Sequence, residues 1–223
     1  MGEQRQLRAI DGFTFGAYEA RPTGDVKGSI LVVQEIFGVN THIREVCDGY
    51  ADAGYVALAP QIFDRVERDV ELGYDEAGMT AGIEIARGKL DITTTLGDLQ
   101  ASVEDLSRHG KVGVVGYCFG GLLTWLAACE LDGVACAAAY YGGGVVGEIE
   151  RTARCPVIMH FGDLDEHIPM SDVAKIDAAL PDVTVYTYHA DHGFNCDHRD
   201  SFDADAAAQA REHSLTFFAE HVG

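Results

Sequence analysis

The sequence predicts an α/β protein with a mostly parallel central sheet flanked by helices on both faces. Three observations lead there. Short apolar runs recur along the chain, amphipathic stretches separate them, and residues 29–34, 111–117 and 156–161 are apolar almost throughout rather than alternating. An alternating strand has one wet face, whereas a continuously apolar one is covered on both. Strand followed by helix, repeated, builds βαβ units and a parallel sheet.

Each element has its own signal. Residues 1–20 are polar with strand-like alternation, and residues 13–19 read as a strand. The run 29–34 is the first buried strand. Residues 41–53 form a helix stopped by Gly54, and 55–59 a strand closed by Pro60. The segment 64–89 is polar and carries four glycines, so it reads as a helix with loops over the molecule. Asp91 is the N-cap candidate of a helix to 108, with Leu96, Leu99, Val103 and Leu106 at helical spacing. A buried strand (111–117), an apolar helix (119–130) and strands at 134–141 and 156–161 follow. Ser171 is the expected cap of a helix to 180. A strand at 183–188, a loop at 189–199 and a helix at 202–221 complete the chain. Without linker, repeat or low-complexity tract, residues 1–223 are expected to form one domain.

Composition narrows the function. The 223 residues include 47% hydrophobic and 23% charged residues, and 16 basic against 36 acidic ones give a net charge of −20. That balance disfavours nucleic acid and anionic membrane surfaces as partners. No apolar run approaches the roughly 20 residues of a membrane span. The polar N-terminus is not expected to act as a signal peptide, and Gln6 stands where a myristoylation signal has Ser or Thr. A cytoplasmic protein is expected, and nothing demands more than a monomer, a homodimer being compatible. The six cysteines are scattered without a C-x-x-C pair, so they are expected to be reduced, most of them small buried hydrophobes.

One cysteine stands apart. Gly116-Tyr117-Cys118-Phe119-Gly120, followed by Gly121, lies between an apolar strand and an apolar helix. This is the G-x-S-x-G nucleophile elbow of the α/β-hydrolase fold with cysteine in place of serine. A glycine-rich turn around a buried cysteine would look the same in isolation, but the flanking strand and helix set this one apart. A nucleophile on so sharp a turn takes strained dihedrals, and its neighbours must lack Cβ atoms. The turn puts the thiol at a helix N-terminus, which favours thiolate, and the Phe119 N–H would face a developing oxyanion.

A nucleophile of this fold is followed in the chain by an acid and then a histidine. Two loops after strands supply them. Residues 161–169 offer Asp163, Asp165, Glu166 and His167, and residues 189–194 offer His189 and His192. Spacing alone does not choose among them.

Gly116-Tyr117-Cys118-Phe119-Gly120-Gly121, the segment from Gly162 to Pro169, His192-Gly193-Phe194 and Gln34-Glu35-Ile36-Phe37-Gly38 together resemble the dienelactone hydrolase family. The resemblance runs from about Phe13 to Phe218. It implies Cys118 as nucleophile, His192 as base, Asp165 as the acid that orients it, and Glu35 as a group that helps form the thiolate when substrate binds. It implies the Ile36 N–H as second oxyanion donor beside Phe119. The implied chemistry is acyl transfer that opens a small lactone or ester, with no metal or organic cofactor. Arg199, Tyr117 and Phe37 are the candidate substrate-binding residues. The family's best-known members hold a substrate carboxylate with two arginines, one of them four residues after the histidine, where this chain has Cys196. Arg65, Arg68, Arg87 and Arg199 are available, and none falls cleanly on those positions.

Three other readings compete. A general carboxylesterase of the same fold needs the same triad. A metal hydrolase would use His189, Asp191 and His192 with Cys196 and His198 nearby, but the H-x-H-x-D-H spacing is missing. A non-enzymatic redox-sensing or binding protein would use Cys118 alone and leave the acid and base unexplained. Tyr140 and Tyr141, ahead of three glycines, suit either packing or a pocket wall. Trp125 reads as core.

Overall fold

The computed structural model describes residues 2–223. Its strands are β1 (Glu3–Arg8), β2 (Thr14–Ala20), β3 (Gly28–Val33), β4 (Tyr55–Pro60), β5 (Val112–Tyr117), β6 (Val134–Tyr140), β7 (Val157–Gly162) and β8 (Val183–Tyr188). They form one sheet in the order β1-β2-β4-β3-β5-β6-β7-β8. β1 and β2 run antiparallel, and the strands from β4 to β8 in that order are parallel. β3, β4, β5 and β7 are buried along their whole length, as continuous apolar runs require.

The helices are α1 (Thr41–Asp52), α2 (Glu76–Ile83), α3 (Ile92–Leu106), α4 (Phe119–Glu130), α5 (Met170–Ala179) and α6 (Ala204–His221). Asn40, Asp75, Asp91 and Asp203 cap α1, α2, α3 and α6, each side chain accepting a backbone N–H of the first turn. α1 and α6 meet through Tyr50 and Phe218, rings 5.8 Å apart, and through Arg211, which donates to the Gly49 carbonyl. α3 and α4 pack together elsewhere on the sheet.

Three regions depart from expectation. The alternating N-terminus holds a separate edge strand, β1. Segment 64–89 divides into a 3₁₀ turn (Ile62–Arg65), α2 and a π-helical turn (Glu84–Lys89). Ser171 does not cap α5: the helix starts at Met170 with Pro169 at the cap position. Proline has no N–H to leave unpaired there.

Parallel strands gather their carboxyl ends at one edge, and β5 sits centrally between β3 and β6. Cys118 follows β5, Gln34 to Gly38 follow β3, and the acid and histidine loops follow β7 and β8. The fold thus gathers residues from distant parts of the chain. Among the described residues, no helix is long and apolar enough to cross a membrane.

Candidate active site

Cys118 has φ 57° and ψ −115°, a left-handed conformation that a side chain resists. Its surroundings hold it. The Cys118 N–H donates to the Tyr140 carbonyl at 3.0 Å, and its own carbonyl accepts from Gly121 at 2.9 Å. A Cβ on Gly116 would meet the Gly120 carbonyl at 2.2 Å, and one on Gly120 the Val33 carbonyl at 2.3 Å. Glycine at both positions lets α4 approach β5 and the end of β3. That approach brings the segment after β3 alongside the elbow. The N–H groups of Phe119 and Ile36 have no protein acceptor among the described residues.

The two histidine–aspartate pairs separate by burial. His189, with a side chain 80% exposed, pairs with Asp163 at 3.0 Å on the surface. His192 is buried, and its Nδ1 lies 2.6 Å from Asp165 Oδ2. Asp165 Oδ1 accepts the N–H groups of His167 at 2.7 Å and Ile168 at 3.1 Å. Burial would raise the Asp165 pKa, but the His192 ring and those two donors hold it below its ordinary value. Burial likewise opposes charge on His192. Hydrogen bonds to Asp165 and Cys118, together with their charges, overcome it and push the imidazole up to about 10.

Glu35 is fully buried behind the elbow. Tyr74 donates its hydroxyl to Glu35 Oε2 at 3.0 Å, and Arg199 Nη1 lies 3.4 Å from Oε1. The Arg199 guanidinium is 5.8 Å from the Phe37 ring centre and 5.6 Å from that of Tyr74, within cation–π range. Arg199 thus reaches the site despite its shifted place in the chain. The other arginines do not join it. Arg65 forks onto Asp98 at 2.7 Å, Arg68 pairs with Asp64, and Arg87 lies exposed on the π-helical turn. Cys196 is buried, and burial, then the Glu35 charge, push its thiol up to about 12.

Two of the expected contacts fall elsewhere. Tyr117 is buried in the core beside Tyr140, rings 4.8 Å apart, because strand alternation turns its side chain onto a covered face of the sheet. Phe37 is buried beneath Arg199 and packs on Tyr74 at 4.5 Å, so it supports the site. Tyr74 carries no signal in the sequence, and for Tyr141 the sequence leaves packing and a pocket wall equally open. Tyr74 lies in the glycine-rich segment whose path the sequence leaves open. Tyr141 has φ 36°, its ring lies 5.1 Å from His192, and its buried hydroxyl has no partner among the described residues. Its position after a strand and before three glycines was the available signal. A cleft of about 610 Å³ lies beside Trp125, Cys155 and the starts of β7 and β8, at the opposite edge of the sheet.

Residues 15–222 match the model of the dienelactone hydrolase family. The carboxymethylenebutenolidase of Pseudomonas putida is 33% identical over 225 residues, covering 96% of this chain and 94% of that one. A Synechocystis sp. protein provisionally given the same name is 37% identical over 201 residues, 81% of each chain. A Klebsiella pneumoniae crystal structure, provisionally described as a dienelactone hydrolase, superposes with a TM-score of 0.86 at 28% identity, covering 99% of this chain and 100% of that one. The dienelactone hydrolase-like promiscuous phosphotriesterase P91, from metagenomic libraries, gives 0.76 at 20% identity over 100% of this chain and 99% of that one, a likeness of fold.

Proposed function

The chain belongs to the dienelactone hydrolase family and is a hydrolase of carboxylic ester bonds, and from that premise we propose that it opens a small carboxylate-bearing lactone through Cys118, His192 and Asp165. The observation that carries the reading is the short Asp165–His192 bond beside a thiol on a strained elbow. A nucleophile needs a base, and the base needs a third group to fix its ring.

The Cys118 sulfur attacks the lactone carbonyl carbon, and the carbonyl oxygen becomes an oxyanion. The Phe119 and Ile36 N–H groups, free of protein acceptors, receive it. The carbon–oxygen bond of the ring breaks and leaves a thioester. The ring oxygen departs with the electron pair and takes its proton from His192. A water then gives a proton back to His192 and attacks the thioester. The carboxylic acid leaves and the thiolate returns. Asp165 stays ionised and holds the imidazole on Nδ1, so that Nε2 moves the protons.

Arg199 and Glu35 couple binding to this chemistry. A substrate carboxylate competes with Glu35 for the guanidinium, and the displaced Glu35 can accept the thiol proton. Tyr141 offers an unpartnered hydroxyl for a substrate oxygen.

The test is hydrolysis of a dienelactone and of a neutral p-nitrophenyl ester by the wild type, Cys118→Ala and Arg199→Ala. Cys118→Ala should be inactive on both. Arg199→Ala should raise KM for the lactone about tenfold or more, the worth of one charged hydrogen bond, and leave the neutral ester little changed. Cleavage of the neutral ester alone would favour the general carboxylesterase. Full activity in Cys118→Ala would overturn the mechanism.

A further inference from the structure

Outside the triad, α1 and the loop after β8 bring two histidines and two carboxylates together. We propose that His42, Glu45, Asp197 and His198 form a binding site for one zinc ion or a similar d-block divalent cation, at the flank of the active site. The proposal does not depend on the hydrolase reading. His42 and Glu45 are three residues apart on α1 and so share a face. Asp197 and His198 approach from the loop that also carries Arg199.

One ligand atom from each of the four residues can be chosen so that all lie within 4.8 Å of one another. His198 Nε2 is 2.6 Å from Glu45 Oε2 and 3.8 Å from Asp197 Oδ1, and His42 Nδ1 is 3.3 Å from Asp197 Oδ1. Zinc bonds of about 2.0–2.1 Å in a tetrahedron place neighbouring ligand atoms about 3.3 Å apart. The observed separations bracket that value, so small rotations of exposed side chains suffice. Two imidazoles and two carboxylates suit zinc, and the two negative charges match its two positive ones.

His42 supplies a second, independent observation. Its side chain is only 4% exposed, and its Nε2 is buried without a partner among the described residues. A buried ring with an unpaired nitrogen calls for a missing partner. A cation on Nδ1 would put the proton on Nε2, making that nitrogen a donor. Glu35 and Cys196 lie on hand to meet it, since they too come within 4.8 Å of a His42 ring nitrogen. A metal ligand whose other ring nitrogen faces a carboxylate is a recurring arrangement. The ion would thus pin the turn that presents Arg199 and bias the Glu35 side of the site.

The experiment is a calorimetric titration of chelator-treated full-length protein with zinc, repeated for His198→Ala, Glu45→Gln and Cys118→Ala. Cobalt absorption spectra report the ligand type. One zinc per chain is expected, with affinity reduced at least tenfold in His198→Ala and Glu45→Gln but unchanged in Cys118→Ala. Cobalt should show visible bands without intense thiolate-to-metal charge transfer. Weak, non-stoichiometric binding would mean attraction to a chain of net charge −20 and would overturn the site. Binding unaffected by both surface variants, or a thiolate spectrum, would overturn it as well. Both substituted positions are exposed, and circular dichroism of the variants separates lost ligands from lost fold.

Discussion

His192 and His160 are both buried and both belong to the β7–β8 side of the sheet, yet their surroundings drive them in opposite directions. His192 sits at the carboxyl edge between a carboxylate and a thiol. Burial opposes its charge, but Asp165 and Cys118 raise its pKa to about 10. His160 lies inside, on β7, with a hydroxyl on each ring nitrogen. Its Nδ1 pairs with the Tyr188 hydroxyl at 2.8 Å and its Nε2 with Ser214 at 3.1 Å. Burial, then the nearby His213, push it down to about 3. A low dielectric magnifies whatever partner is present. One imidazole is thereby suited to the proton transfer proposed for it, and the other is a neutral strut joining β7 and β8 to α6.

The largest expected effect separates the two by activity. His192→Gln should lower kcat/KM about a thousandfold, the scale of a lost general base. His160→Gln should do the reverse. Its kcat/KM should stay within about threefold, while chemical denaturation reads a loss of about 2 kcal/mol from a disrupted buried network. Similar activity losses in the two would break the contrast. Asp165→Asn makes the surroundings of His192 more like those of His160. It should cost about a hundredfold in kcat/KM and lower the pH at which the imidazole titrates.

Stability against pH sharpens the comparison further. His192 binds its proton more tightly when folded. Its contribution is therefore complete below about pH 6.5 and is lost as the pH climbs through about 10. His160 refuses a proton when folded and accepts one when unfolded. Its contribution is complete above about pH 6.5 and is lost as the pH falls toward 3. Asp165, held below its ordinary value, adds to the acid loss at lower pH. Melting temperature should peak near neutrality, with the alkaline limb flattened in His192→Gln and the acid limb in His160→Gln. The smallest effect is that of Tyr188→Phe, about 1 kcal/mol: the hydroxyl's bonds to His160 and, at 3.0 Å, to His213 are lost, but the ring packing remains.

The same contrast explains what could be read in advance. Continuous apolar runs announced β3, β5 and β7, and the glycine pattern around Cys118 announced the elbow, because both are local signals. Asp165 and His192 were picked out by the family resemblance alone, and spacing does not separate them from Asp163 and His189. Depth in the fold does, since the second pair lies on the surface. Arg199 was legible only as a residue near a motif. Its contact with Glu35 joins segments far apart in sequence and depends on the loop after β8. Tyr74 was hidden for a related reason: segment 64–89 is polar and glycine-rich, and its course is set by what it covers. The pairing of His42 with His198 spans α1 and the final loop, a distance no spacing rule crosses.

The backbone at Cys118 carries a further consequence. Its dihedrals are ones that glycine adopts freely and cysteine does not. Cys118→Gly should therefore be more stable than the wild type by about 1 kcal/mol, within the range of such local strain, and inactive. Random variants screened for heat resistance alone would drift toward glycine at this position. Only selection on turnover keeps a side chain there.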